Sequence, residues 1–186
     1  MRKSATITHR QSYLQFHVPL NRGAKWYQSL TAAVGGIKDI KLQHGFFHIT
    51  AAFINNEIGI VEAEKIAGLL NQELKNLIAP TITFDTLDAF ITQDGGTYVI
   101  YLTSSRVPDE WSALIDRLRL KLITKGYQLG PYKMHVTLAR IPVKSIDLES
   151  LRSLIKQVNM PVFSLTLSSA DYRFYRSTLH AIRVWN

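Results

Sequence analysis

Apolar residues alternate with polar ones at a period of two in several stretches of the chain and recur at helical spacing in four others. Tyr13 to Val18 alternates as a first strand and Pro19 closes it. Asn21 is placed to cap a helix from about 22 to 34, in which Trp26, Leu30, Ala33 and Val34 share one side and Gly35-Gly36 ends the run. A strand follows over about 46 to 54, with Asn55-Asn56 as its turn. Ile60, Ala63, Ile66, Ala67, Leu70, Leu74 and Leu77 then trace a helix stopped by Pro80. Thr81 to Ile91 and Thr97 to Thr103 are rich in β-formers, and Gln93-Asp94-Gly95-Gly96 joins them as a hairpin. Pro108 with Asp109 and Glu110 opens a third helix, whose inner face is Trp111, Leu114, Ile115, Leu118 and Leu122 and whose end is Gly126. A strand over about 133 to 142 comes next. Ser145 or Asp147 starts a shorter helix, and strands over about 162 to 173 and 177 to 185 finish the chain.

The predicted order is β-α-β-α-β-β-α-β-α-β-β, uninterrupted by any linker rich in Pro, Gly or Ser. It reads as an α+β protein with antiparallel sheets covered by helices on one face, and residues 1 to 186 as one globular unit of two lobes. The two lobes are suggested by a strand pattern written twice. Phe47-His48-Ile49-Thr50-Ala51-Ala52-Phe53-Ile54 and Met134-His135-Val136-Thr137-Leu138-Ala139-Arg140-Ile141 match at His, Thr, Ala and Ile, and the histidines lie 87 residues apart. Regular alternation puts His, Thr and Ala of each copy on one face, with Ala52 and Ala139 leaving room above the strand.

Composition narrows the chemistry. The net charge of +8 favours anionic partners, yet no block of five or six like charges and no cluster of aromatics marks an extended nucleic-acid groove, so a small anionic ligand fits better. Cysteine is absent, which removes thiolate catalysis and cysteine zinc sites. The polar first eleven residues lack the apolar segment of a signal peptide, no run approaches membrane-spanning length, and a soluble cytoplasmic protein is the default expectation.

Two imidazoles aimed into one cleft can act as acid and base near neutrality, a combination suited to phosphodiester chemistry with Thr50 and Thr137 as hydroxyl donors. The competing reading is a pair of packed histidines beside strand-favouring threonines, which duplication with matching surroundings weakens. A metal centre is disfavoured, because neither copy has a further His or carboxylate at ligand spacing. His9, His17, His44 and His180 lack the pattern and read as structural or surface residues.

The tandem His48-Ile49-Thr50 and His135-Val136-Thr137 resembles the two-histidine (2H) phosphoesterase superfamily, which includes 2′-5′ RNA ligase-like proteins and cyclic phosphodiesterases. The resemblance runs from about residue 12 to the end, and Met134 to Arg140 is its more specific part. It implies a bilobal pseudo-twofold fold with a central groove, and metal-independent opening of 2′,3′-cyclic phosphates of nucleotides or RNA ends. His48 would be proton donor and His135 acceptor, with Thr50 and Thr137 on the phosphate. The implied ligand is a nucleotide cyclic phosphate or an RNA end, with no metal or other cofactor and no membrane, bound by a monomer. Arg140, Tyr132 and Lys133 are further phosphate-contact candidates, although regular alternation points Arg140 away from His135 unless the strand twists or bulges. Phe47 and Tyr175 are candidates to stack on a base, as are Phe46 and Phe174. Alternatives are a nucleotide- or RNA-binding module with little catalysis, and a phosphodiesterase acting on an ADP-ribose cyclic phosphate. Ala51 and Asn55-Asn56, and Met134 in place of a proline, depart from the RNA ligase-like pattern.

Overall fold

A computed structural model describes residues 12–175 and 178–186. The leading polar segment with His9 lies outside these. Ten strands and four α-helices run in the order β1 (Ser12–Val18), α1 (Lys25–Val34), β2 (Lys41–Leu42), β3 (Phe47–Ile54), α2 (Ile60–Leu74), β4 (Thr81–Phe84), β5 (Thr86–Ile91), β6 (Thr97–Thr103), α3 (Asp109–Thr124), β7 (Val136–Pro142), α4 (Leu148–Lys156), β8 (Phe163–Thr166), β9 (Ser169–Tyr175) and β10 (Leu179–Trp185). A short 3-10 turn, Val143–Ser145, follows β7. The helices form where the apolar spacing places them, with Trp26, Tyr27, Leu30 and Val34 buried on α1 and Trp111, Leu114, Ile115, Leu118 and Leu122 on α3.

Capping agrees in part with expectation. Asp147 caps α4 by accepting from Ser150 N at 2.8 Å, and Gly126 takes a positive φ of 90° just past α3, where a side chain would be strained. Asn21 does not cap α1. Its side chain closes a turn by accepting from Gly23 N at 2.8 Å, and the helix begins four residues later at Lys25.

Two long predicted strands are each broken in two. Thr81 to Ile91 breaks at Asp85, whose carboxylate accepts from Ser105 N and Thr86 Oγ1, both at 2.8 Å, and from the Ser105 hydroxyl. These bonds, the Ser105 hydroxyl first, hold the Asp85 carboxyl below its ordinary range. The stretch from 162 to 173 breaks between Thr166 and Ser169. The freed pieces, β4 and β8, form a small antiparallel sheet of their own, sewn by Thr81–Thr166 and Thr83–Ser164 hydroxyl bonds at 2.8 Å.

The large sheet is antiparallel throughout, in the order β10-β9-β1-β3-β7-β6-β5 with β2 added to β7. Its two halves meet at β3 and β7, the strands carrying the repeated pattern, through the single register pair Ile49–Val136. Beyond that pair the strands part, and each is flanked by the segment that precedes the other. Leu42, six residues before His48, pairs with Ala139, and Leu129, six before His135, bridges Ile54. This exchange is the pseudo-twofold relation in hydrogen bonds. Both exchanged segments are pinned by an arginine: Arg22 donates to the Gln43 and Gly45 carbonyls, and Arg119 to the Gly130 carbonyl at 2.8 Å and the Ala51 carbonyl at 3.5 Å. A Cβ on Gly130 would lie 3.4 Å from Phe53 Cβ, at the tight limit of ordinary van der Waals contact.

Helices α2, α3 and α4 pack on β10, β3 and β5. Leu14, Phe16 and Val18 of β1 turn toward this core, where the Phe16 ring meets Trp111 edge-on at 5.0 Å. The other face of the sheet is left to a groove between the halves.

Candidate active site

A β-bulge in each central strand decides what faces that groove. Against β1, Gln15 opposes Thr50 and Leu14 opposes Ala52, so Ala51 is an extra residue in β3. Against β6, Tyr101 opposes Thr137 and Ile100 opposes Ala139, so Leu138 is the extra residue in β7. In both copies the bulge falls one residue after the threonine and reverses the alternation that follows. Ala52 and Ala139 therefore turn into the core, each 1 % exposed, and leave no space above the site as regular alternation had implied. The third residue after each threonine swings onto the His-Thr face instead. That residue is Phe53 in the first copy and Arg140 in the second.

Tyr13, Gln43, His48, Thr50, Phe53, His135, Thr137 and Arg140 line one cleft of about 300 Å³. The two imidazoles are held alike. His48 Nδ1 lies 3.2 Å from the Phe46 carbonyl and His135 Nδ1 lies 2.8 Å from the Lys133 carbonyl, each two residues upstream. A carbonyl can only accept, so each Nδ1 carries the proton and each Nε2 is left as the nitrogen that exchanges one. The threonine hydroxyls have no hydrogen-bond partner among the described residues, and neither does the Arg140 guanidinium.

Burial depresses both imidazoles. His48 is brought down to about 4, by desolvation first and then by the positive charge of Arg173, and His135 is lowered by desolvation and by Lys133 and Arg140. Both rings are neutral in the ligand-free cleft at pH 7. Tyr13 lies along His48 at a ring separation of 6.4 Å, while Phe90 and Tyr101 meet His135 edge-on at 5.4 and 6.0 Å.

The remaining sequence candidates are distributed differently. Lys133 Nζ sits 4.7 Å from the centres of both the Phe90 and Tyr101 rings, beside His135 but outside the cleft lining, and its carbonyl orients the imidazole. Tyr132 does not reach the cleft. Its hydroxyl accepts from Trp111 Nε1 at 2.8 Å on α3, and burial pushes it up to about 12. Phe47 is not available to a base, being 2 % exposed on the opposite face of β3 from His48, with Arg22 stacked 4.2 Å above its ring. Phe174 is likewise buried. Tyr175 is exposed at the end of β9, on the face of Arg173 but beyond the cleft lining. Phe46 is exposed and lies flat on His17 at 4.9 Å.

Sequence reading missed Tyr13, Gln43 and Phe53. Tyr13 was open to detection, since Tyr13, Gln15 and His17 alternate onto one face of β1. Phe53 was open only to a reader who allowed a bulge, which makes it the counterpart of Arg140 at five residues past the histidine. His17, read as structural, is buried and held 2.9 Å from Asp171 Oδ2, and Arg183 Nε meets the other Asp171 oxygen at 2.6 Å. Among the described residues no three His, Asp or Glu side chains cluster as a metal would need, and no helix is long and apolar enough to cross a membrane.

No protein-family model matches the chain, and no curated protein matches it by sequence. Solved structures do. Usb1 of Kluyveromyces marxianus superposes with a TM-score of 0.60 over 95 % of this chain and 99 % of its own, at 12 % identity. A phosphoesterase gives 0.57 over 94 % and 95 %, at 17 % identity. Escherichia coli LigT in complex with 3′-AMP gives 0.53 over 95 % of each chain, at 16 % identity. At such identities the likeness is one of fold, and that fold is the two-histidine phosphoesterase fold.

Proposed function

We propose that the chain is a two-histidine phosphoesterase that hydrolyses 2′,3′-cyclic phosphates of nucleotides or RNA ends without a metal. The observation that carries this reading is the matched pair of imidazoles, each tied through Nδ1 to a backbone carbonyl, lining one small cleft with two unpartnered threonine hydroxyls and a guanidinium. The Usb1 structure with uridine monophosphate and the LigT structure with 3′-AMP show nucleotides bound to proteins of this fold, which supports a nucleotide here.

In this mechanism the cyclic phosphate sits between the two Nε2 atoms. His135 takes a proton from water as the water oxygen bonds to phosphorus. The bond from phosphorus to one ribose oxygen breaks, and His48 gives its Nε2 proton to that oxygen. Thr50, Thr137 and Arg140 hold the non-bridging oxygens, where negative charge grows. Desolvation first, and then the positive charges of Lys133 and Arg140, keep the His135 imidazole unprotonated, as a base must be. Each half of the cleft comes from the same chain, so a monomer suffices.

The acid has to acquire its proton. His48, brought down to about 4 when the cleft is empty, is neutral at pH 7, and a bound phosphate anion favours its charged form. A nucleoside 3′-monophosphate should therefore bind with net proton uptake. Because the proton is lost from the free protein well below the pH at which the complex loses it, affinity should rise as pH falls from 8 toward 5. Calorimetric titrations at pH 7 in buffers of different ionisation enthalpy measure the uptake, which should shrink in His48→Gln. Binding with no proton exchange in the unaltered protein would contradict the assignment.

The direct test is turnover. With chelator present, nucleoside 2′,3′-cyclic phosphates and RNA carrying a 2′,3′-cyclic end should be converted to monophosphate ends. Absence of turnover with all of them overturns the enzymatic reading, and nucleotide binding without turnover would identify a binding module of the same fold.

A further inference from the structure

One buried polar cluster takes no part in the reaction proposed above. Gln15 and His17 of β1 and Asp171 of β9 are all buried. His17 Nε2 donates to Asp171 Oδ2 at 2.9 Å, the Gln15 carboxamide lies 3.0 Å from the same nitrogen, and Arg183 Nε donates to the other carboxylate oxygen at 2.6 Å. Burial, the largest influence, holds the His17 imidazole below its ordinary value although the Asp171 carboxylate pulls it up, so the ring is neutral at pH 7. A buried ring bonded at its edge in this way is fixed in its plane. Phe46 lies on it, with ring centres 4.9 Å apart and planes within 18°.

Phe46 covers His17 while 67 % of its own surface stays exposed. Burial alone gives such a ring little reason for its place, and the stack on His17 supplies one. The backbone of the same residue bears on catalysis, because its carbonyl accepts the proton of His48 Nδ1 at 3.2 Å. That carbonyl stands just outside the ladder between β1 and β3, whose last register pair is Val18–Phe47. The turn into His48 is therefore held at two points. Arg22 takes the Gly45 carbonyl, where the chain turns through a φ of 73°, and the Phe46 ring rests on His17.

The other copy repeats the arrangement with different chemistry. Lys133, two residues before His135 and outside β7, gives its carbonyl to Nδ1 at 2.8 Å. Its Nζ sits 4.7 Å from the centres of the Phe90 and Tyr101 rings of β5 and β6, and donates to the Tyr101 hydroxyl at 3.4 Å. A phenyl ring and an ammonium have little in common as ligands of a substrate. What the copies share is a side chain docked on a ring of a neighbouring strand, on the residue whose carbonyl orients the imidazole. Neither Phe46, Lys133 nor His17 lines the cleft.

We propose that Phe46 is a positioning residue for His48, seated on the His17–Asp171 pair, and that it serves the reaction through this seat and not through contact with substrate. The proposal rests on the phosphoesterase reading only for the role of His48 as acid. Without the seat the Phe46 carbonyl is no longer fixed, the proton of the neutral His48 ring is shared between both nitrogens, and Nε2 ceases to be the nitrogen reserved for exchange.

The test uses the full chain with Phe46→Ala, Phe46→Tyr and His17→Leu. The Phe46 ring is exposed, so both of its variants should unfold at the temperature of the unaltered protein. Nitrogen-15 NMR of the imidazoles at pH 7 should show His48 protonated at Nδ1 in the unaltered protein, and a mixture of tautomers in Phe46→Ala with His135 unmoved. On a nucleoside 2′,3′-cyclic phosphate, Phe46→Ala should lower kcat about ten-fold with KM little altered, the loss expected for one hydrogen bond. Phe46→Tyr, which keeps the flat ring, should restore both readouts. His17→Leu should reproduce the loss, and adding Phe46→Ala to it should do no further harm, since both break one contact; if this buried change does not fold, the Phe46 variants decide alone.

A raised KM with kcat retained would make Phe46 a substrate contact and overturn the proposal. So would a fall in kcat without the tautomer change, a tautomer change without a fall in kcat, or a His48 not protonated at Nδ1 in the unaltered protein. If no substrate is turned over, the catalytic reading has failed separately and the His48 tautomer decides: a mixture in Phe46→Ala supports the seat, and an unmoved tautomer overturns it.

Discussion

Alanine at either His48 or His135 should lower kcat on a nucleoside 2′,3′-cyclic phosphate by about 10²- to 10⁴-fold, the range of a positioned acid or base. The geometry gives the reason. Each ring is fixed by one bond from Nδ1 to a backbone carbonyl, at 3.2 Å for His48 and 2.8 Å for His135, and contributes through the opposite nitrogen alone. Neither ring is part of the apolar core, so folding should survive the change, which thermal unfolding can confirm. The double variant should be little worse than the weaker single one, because an acid without its base no longer completes the reaction. A variant that stays folded and keeps more than a tenth of the activity would remove that histidine from the chemistry.

Much of the fold was readable in the sequence, for reasons visible in particular elements. The helices declared themselves because each presents an unbroken apolar stripe, and the two central strands because His and Thr alternate with apolar partners. What escaped was set by partners distant in the chain. Nothing within Thr81 to Ile91 announces that Asp85 will be claimed by Ser105, yet that contact ends one strand and starts another in a different sheet. The two residues of β2 carry no periodicity at all, and they become a strand only because β7 offers an edge there. Alternation alone sets Phe47 on the face opposite His48, and it went to the core under Arg22; Tyr132 lies in the loop before β7, where no strand period applies, and went to Trp111.

The site itself was half readable. His and Thr precede the bulge in each strand, so the ordinary period of two holds for them. Everything after the threonine obeys the bulge, and a bulge is a property of two strands together: Ala51 and Leu138 are extra only relative to β1 and β6. The duplication could have exposed it. Two strands that both need a functional residue five positions past the histidine imply the same extra residue in both, and Phe53 and Arg140 occupy that position.

Arg140→Ala should then lower kcat/KM about 10²- to 10³-fold, the cost of removing one fixed donor from the developing charge on phosphate. The side chain is exposed and makes no ion pair or hydrogen bond among the described residues, so an effect on stability should be absent, and this separates a catalytic role from a structural one. Lysine at this position should recover only part of the loss, because an ammonium restores the charge without the planar fork that meets two oxygens at once. The change should fall mainly on kcat, since the phosphate carries more negative charge in the transition state than in the cyclic substrate. A uniform rise in KM with kcat preserved would mean that Arg140 attracts the substrate but does not act on the reacting phosphorus. Full recovery by lysine would point the same way, to a point charge at the mouth of the cleft. The bulge at Leu138 would then serve to steer the anion in, and the two threonines alone would face the growing charge.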